Sequence, residues 1–187
     1  MAESSEVVAN AQALASEYNN LRKDVLDPTL GHSHTGAVDE GAFMNPVVVS
    51  KASDETVNNS TALQDDDDLL LPVGANEIWV VELTIRFTTH TDANFKYIFT
   101  LPAAGAFKGI DTELVTDTTL DYYAPVDLAT EQVQGTATVT HAWILVKGVY
   151  VGAGTAGNVQ LQWAQQAAYG GDTKVLKGSY LIAHKVS

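Results

Sequence analysis

The stretch Gly31-His32-Ser33-His34-Thr35-Gly36 places two histidines one residue apart in a chain that holds only five. In an extended backbone side chains alternate, so His32 and His34 would project to the same side. Two imidazoles cannot fill a metal's coordination sphere. Three parallel chains around a threefold axis would bring six, enough for an octahedral transition-metal site such as iron or zinc. Gly31 and Gly36 would let the backbones approach that axis closely. On spacing alone the plainer reading is a pair of exposed loop histidines, and the balance turns on whether neighbouring elements bring chains together.

Asp65-Asp66-Asp67-Asp68 is the other concentration of potential ligand atoms. Four adjacent carboxylates repel one another, and a calcium loop needs oxygens spaced to wrap the ion, which a consecutive run does not supply. The run therefore reads as a solvated, charged entry to the first strand, where it would discourage edge-to-edge pairing. No Gly-x-Ser-x-Gly elbow, HExxH or P-loop occurs, and His90, His141 and His184 are scattered. The expectation is a protein that is not an enzyme. A polysaccharide hydrolase is the weakest alternative, kept because paired carboxylates need no local motif. A carbohydrate-binding module is the other, with Tyr122 and Tyr123 as aromatics able to stack on a sugar.

The elements around the histidine pair favour association. From Ser5 to Asp27 there is no Gly or Pro and helix formers dominate, with Ser4 or Ser5 as a cap and Pro28 as a stop. Val7, Ala11, Leu14, Tyr18, Leu21 and Val25 are spaced alternately four and three residues apart. That is the seam of a short coiled coil, narrower than the stripe of a helix packed on its own domain. Residues 1–28 are therefore read as a self-associating attachment helix. Residues 29–63, rich in Gly, Ser, Thr, Asn and Asp with one brief extended run at Pro46-Val-Val-Val49, are read as a linker.

Residues 64–187 read as a β-rich head. Trp79, Val81, Leu83, Ile85 and Phe87 alternate with polar neighbours, the pattern of a half-buried antiparallel strand. Phe95, Tyr97, Phe99 and Leu101 suggest a second strand, and residues 136–146, 149–151, 159–164 and 175–186 suggest four more, separated by Gly-rich turns. Short strands without a convincing helix predict a mainly β fold, an antiparallel β-sandwich of jelly-roll type.

Composition excludes several classes. With 45% apolar residues the chain can bury a core, and no apolar run is long enough for a transmembrane helix. The acidic N-terminus lacks the pattern of a signal peptide. Cysteine is absent, which removes disulfides and thiolate metal sites. Ten Lys and Arg against 23 Asp and Glu give a net charge of −13, so nucleic acid is an improbable partner. The acidity reads first as solubility.

Two stretches carry a resemblance. The helix running through Asn19-Asn20-Leu21-Arg22 into Gly31–Gly36 resembles fibre and appendage proteins of tailed bacteriophages, in several of which a His-x-His pair from each of three chains encircles a metal ion. This implies the same role for His32 and His34 only. Leu161-Gln-Trp-Ala-Gln-Gln166 followed by Thr173-Lys-Val-Leu-Lys-Gly-Ser-Tyr-Leu181 resembles the closing strands of jelly-roll heads in phage virion proteins, which are themselves similar to the trimeric heads of the C1q and tumour necrosis factor class. The resemblance implies a homotrimeric virion structural protein, a short fibre, spike or decoration. It would be mounted on capsid, tail or baseplate proteins by its N-terminus, with the head free to meet a host surface glycan. Trp163 and Tyr180 would then lie in the core or face the axis.

Overall fold

The computed structural model describes residues 46–116, 119–122, 126–134 and 139–187; the helix, its seam and the His32/His34 pair lie outside them. The described residues are antiparallel β-structure with no helix. Thirteen strands run in chain order: β1 Val47–Ser50, β2 Glu55–Asn58, β3 Gln64–Val73, β4 Ile78–Thr89, β5 Phe95–Thr100, β6 Ala106–Thr116 and β7 Thr119–Tyr122. They continue through β8 Val126–Asp127, β9 Gln132–Gln134, β10 Val139–Val151, β11 Gly157–Gln165, β12 Asp172–Val175 and β13 Tyr180–Lys185.

The pairing is nested from the outside in. β1 pairs with β13, β2 with β12, β3 with β11, β4 with β10, β5 with β9 and β6 with β8. The chain is thus one long doubled ribbon, folded back near β7 and rolled so that, from the β2/β12 pair inward, successive pairs alternate between two sheets. One sheet carries the path β1-β13-β4-β10-β6-β7, with β2, β8 and β12 at its margins; the other is β3-β11-β5-β9. A ribbon rolled this way into two antiparallel sheets is a jelly roll.

Period-two alternation explains why the two sheets face each other. Val81, Leu83, Ile85 and Phe87 of β4, with Ala142, Ile144 and Val146 of β10, meet Leu69 and Leu71 of β3, Phe95, Tyr97 and Phe99 of β5 and Leu161 and Trp163 of β11 in one buried cluster. Aromatic rings stitch the layers: Phe87 stacks on Phe95 at 4.5 Å and Phe99 meets Phe107 edge-on at 5.0 Å, while within the smaller sheet Phe95 lies 5.9 Å from Trp163. Trp163 is core; Tyr180 is on the outside, 38% exposed.

Four expectations are refined. The head begins earlier than residue 64, because β1 and β2, within the stretch read as linker, pair with β13 and β12 of the larger sheet. Residues 139–151 form one strand, because Gly148 sits directly opposite Gly109 and lets the ladder continue unbroken. Residues 175–186 form two, because Gly178 takes a φ of +82° and turns the chain between β12 and β13. The Asp65–Asp68 run is only in part a solvated entry: it lies inside β3, with Asp65 and Asp67 exposed and Asp66 buried.

Candidate functional site

The burial of Asp66 follows from a bulge. Opposite β11, the register of β3 jumps from Leu70↔Gln160 to Asp65↔Gln162, so residues 66–69 of β3 face a single residue, Leu161. Bulges bend a strand and re-aim side chains. Here Asp66 is turned inward, and its Oδ1 accepts the backbone N–H groups of Asp68 (3.1 Å) and Leu69 (2.9 Å), satisfying donors that the bulge frees from the ladder. The Asp66 carbonyl is held in turn by Gln160 Nε2 at 2.8 Å.

Lys51 meets Asp66 there. Its backbone is pinned at the end of β1, donating to Ser179 O and accepting from Gly178 N. The side chain enters the protein and is 1% exposed. Nζ lies 2.6 Å from Glu55 Oε2, 2.9 Å from Asp66 Oδ2 and 3.8 Å from Asp68 Oδ2. Asp66 Oδ2 has this close cation yet no partner with hydrogen-bond angles. Burial alone would lower the pKa of the ammonium, but the hydrogen bond to Glu55 and the nearby charges of Glu55 and Asp66 outweigh it and hold the pKa above the ordinary lysine value. Burial raises the Glu55 carboxyl, against the opposing pull of Lys51. Isolated, such an ammonium would cost several kcal/mol to bury; ringed by carboxylates it is stable. Among the described residues no group of three or more His, Asp or Glu side chains is placed to hold a metal, and Lys51 supplies the positive charge in this cluster.

A second polar cluster lies between the sheets. Tyr97 donates to Asp111 Oδ2 at 2.6 Å, and Gln134 Nε2 donates to the same oxygen. Tyr97, Asp111, Gln134 and Glu113 are all buried. Burial, then the negative charge of Asp111, pushes the Tyr97 phenol well above its usual pKa.

The outward face of the larger sheet is rich in exposed apolar side chains, with the Glu82–Lys147 ion pair among them. Val48, Val80, Ile110, Trp143, Val149, Val151 and Tyr180 are each at least 38% exposed. Strand register makes them neighbours: Val80 lies between His184 and Val149, and Ile182 pairs with Val48. At the margin, the Arg86 guanidinium sits 5.1 Å over the Trp143 ring and Arg86 Nη1 donates to Lys177 O at 2.9 Å. Asp54, Arg86, Leu176, Lys177 and Gly178 line an open groove beside it.

The expected site residues fare unevenly. His32, His34 and the seam Val7, Ala11, Leu14, Tyr18, Leu21 and Val25 are outside the described residues, as are Tyr123 and the side chain of Tyr122. His90 stacks on Tyr169 at 4.3 Å, and His184 lies on the outer face of β13. Sequence reasoning missed Lys51, Glu55 and Asp111.

No known protein family matches the chain, and no curated protein matches it. Among solved structures it is similar to the Eiger TNF of S. frugiperda, with 11% identity over 76% of this chain and 93% of that one and a TM-score of 0.32. It is also similar to a chain of infectious bursal disease virus, Gt strain, with 14% identity over 75% of this chain and 37% of that one and a TM-score of 0.20. These likenesses are distant; the class of the protein is set by its own nested pairing, a jelly-roll β-sandwich.

Proposed function

We propose that the protein is a non-enzymatic virion structural protein, a short homotrimeric fibre, spike or decoration. The helix of residues 1–28 attaches it to other virion proteins, His32 and His34 clasp three chains around a metal ion, and the sandwich projects outward. The observation that carries the reading is the apolar outer face of the larger sheet. Solvated sheet faces alternate toward polar residues, whereas this face exposes Val48, Val80, Ile110, Val149, Val151 and Tyr180 around a single Glu82–Lys147 ion pair, a density of apolar side chains of the kind that marks an interface. A second copy of the same chain, brought alongside by a parallel N-terminal seam, is the occupant that fits. The test is sedimentation of the full chain, with Val80→Glu and Tyr180→Asp together as the disrupting variant. The expected result is a three-chain mass that falls towards one chain in the variant; a wild-type protein monomeric at all concentrations overturns the reading.

One observation favours a glycan-binding role on the same scaffold. Trp143 is exposed beside Arg86 and the groove of Asp54 and Lys177, an aromatic face next to polar groups. A glycan array with the wild type and Trp143→Ala tests it: binding that Trp143→Ala abolishes supports a host-surface ligand at this groove.

A further inference from the structure

We propose that the folded chain cross-links itself, joining the Lys51 side chain to Asp66 through an isopeptide bond with Glu55 as proton shuttle. The geometry holds the parts of that reaction together. Nucleophile and electrophile are both at most 1% exposed, and Nζ stands 2.9 Å from Asp66 Oδ2 without the angles of an ordinary hydrogen bond. The bond would form between Nζ and Cγ, the carbon that carries Oδ2, and holding two such groups side by side in the right orientation with water excluded is equivalent to about 10⁵–10⁸ M of reactant. Asp66 Oδ1, the oxygen on which charge would develop, already accepts two backbone N–H groups, from Asp68 and Leu69. Those donors are fixed by the bulge and act as an oxyanion hole. Glu55 Oε2 is 2.6 Å from Nζ, and burial raises its carboxyl, as suits a group that takes a proton and gives it back.

The step balances without any co-reactant. Glu55 accepts one proton from the Lys51 ammonium, and the free amine attacks Cγ of Asp66, forming the C–N bond. The addition leaves negative charge on both oxygens, Oδ1 between the two N–H donors and Oδ2 ready to take the proton back from Glu55. The Cγ–Oδ2 bond then breaks; Oδ2 leaves with the proton returned by Glu55 and a second proton from the nitrogen. An ammonium and a carboxylate become an amide and one water, and Glu55 is regenerated.

Two other close ion pairs among the described residues lack this burial. Lys147 lies 3.0 Å from Glu82, a comparable distance, but these side chains are 62% and 53% exposed, so water reaches both and competes with any condensation. Lys185 and Glu77, 2.7 Å apart, are 50% and 20% exposed and sit on the surface. The bond would also have a structural effect that none of those could have. Lys51 follows β1 of the larger sheet and Asp66 belongs to β3 of the smaller, so the cross-link ties the two sheets together beside an edge strand paired only with β13.

The test is intact-mass spectrometry and a peptide map of the full-length protein. The expected result is a mass lower than the sequence mass by one water, after allowing for N-terminal processing, and a branched peptide joining the segments that contain Lys51 and Asp66. Glu55→Gln is expected to slow formation by about 10²–10⁴-fold, and Lys51→Arg, which keeps the charge, to leave the full mass. Folded wild-type protein whose map contains only the two unlinked peptides overturns the proposal, and this decides the matter even where a variant fails to fold. A link that forms as fast in Glu55→Gln as in the wild type overturns the part assigned to Glu55.

Discussion

The Tyr97 hydroxyl donates a 2.6 Å hydrogen bond to Asp111 Oδ2, linking β5 of the smaller sheet to β6 of the larger across the inter-sheet space. Both residues are buried, so water cannot replace either partner. Tyr97→Phe should therefore destabilise the head by about 1–3 kcal/mol, measured by denaturant unfolding, because Asp111 keeps only Gln134 on that oxygen.

The same bond predicts an alkaline limit. The folded-state pKa of Tyr97 lies well above the ordinary value of 10.0. Below pH 10 the phenol is protonated in both states and contributes no slope. Above it the unfolded chain loses the proton first, so stability should fall as pH rises. Melting temperatures recorded from pH 9 upward should show a shallower decline in Tyr97→Phe than in the wild type.

Glu77 sets an acid limit of opposite sign. Lys185 first, then the Gly74 N–H, with Trp79 Nε1 adding to them, lower its carboxyl from 4.5 to about 2. As pH falls from about 4.5 towards 2 the unfolded chain binds the proton first, and the stability from these contacts is lost. Glu77→Gln should cost about 1 kcal/mol at neutral pH and flatten the acid limb of the stability profile.

Gly109 and Gly148 face each other across β6 and β10. A Cβ on Gly109 would collide with the Lys147 carbonyl oxygen and lie 2.7 Å from Gly148 Cα, both backbone atoms that cannot swing aside. Gly109→Ala should destabilise the head by about 1–3 kcal/mol, and calorimetry should show it as a lowered melting temperature.

For the proposed clasp, His32→Ala combined with His34→Ala should remove bound transition metal and lower the melting temperature of the trimer. Elemental analysis of the purified protein checks the first outcome directly, and absence of metal from the native protein counts against the clasp.

The strands that carry uninterrupted alternation were legible from sequence. β4 and β5 were anticipated almost residue for residue, because Val81, Leu83, Ile85 and Phe87, then Phe95, Tyr97 and Phe99, all place apolar groups inward. β6 was not, although it is 11 residues long. Its inward positions include Asp111 and Glu113, so the face that points into the protein reads as a polar one. Tyr97 and Gln134, distant in sequence, make that inversion tolerable, and no local pattern announces them.

The Lys51 site failed to show for a related reason. Four consecutive aspartates have a plain local meaning, mutual repulsion relieved by solvent, and within the strand Asp65 and Asp67 obey it by remaining exposed. Asp66 departs from it because the β3 bulge turns it inward onto an ammonium 15 positions earlier in the chain. By itself, then, the sequence determined the β class, the alternating core strands and the acidic surface, since these depend on composition and on contacts between near neighbours. The tertiary structure alone decided which acids are buried and what they face. A charge can be buried only against a partner supplied by another strand, and strand pairing is a property of the folded chain.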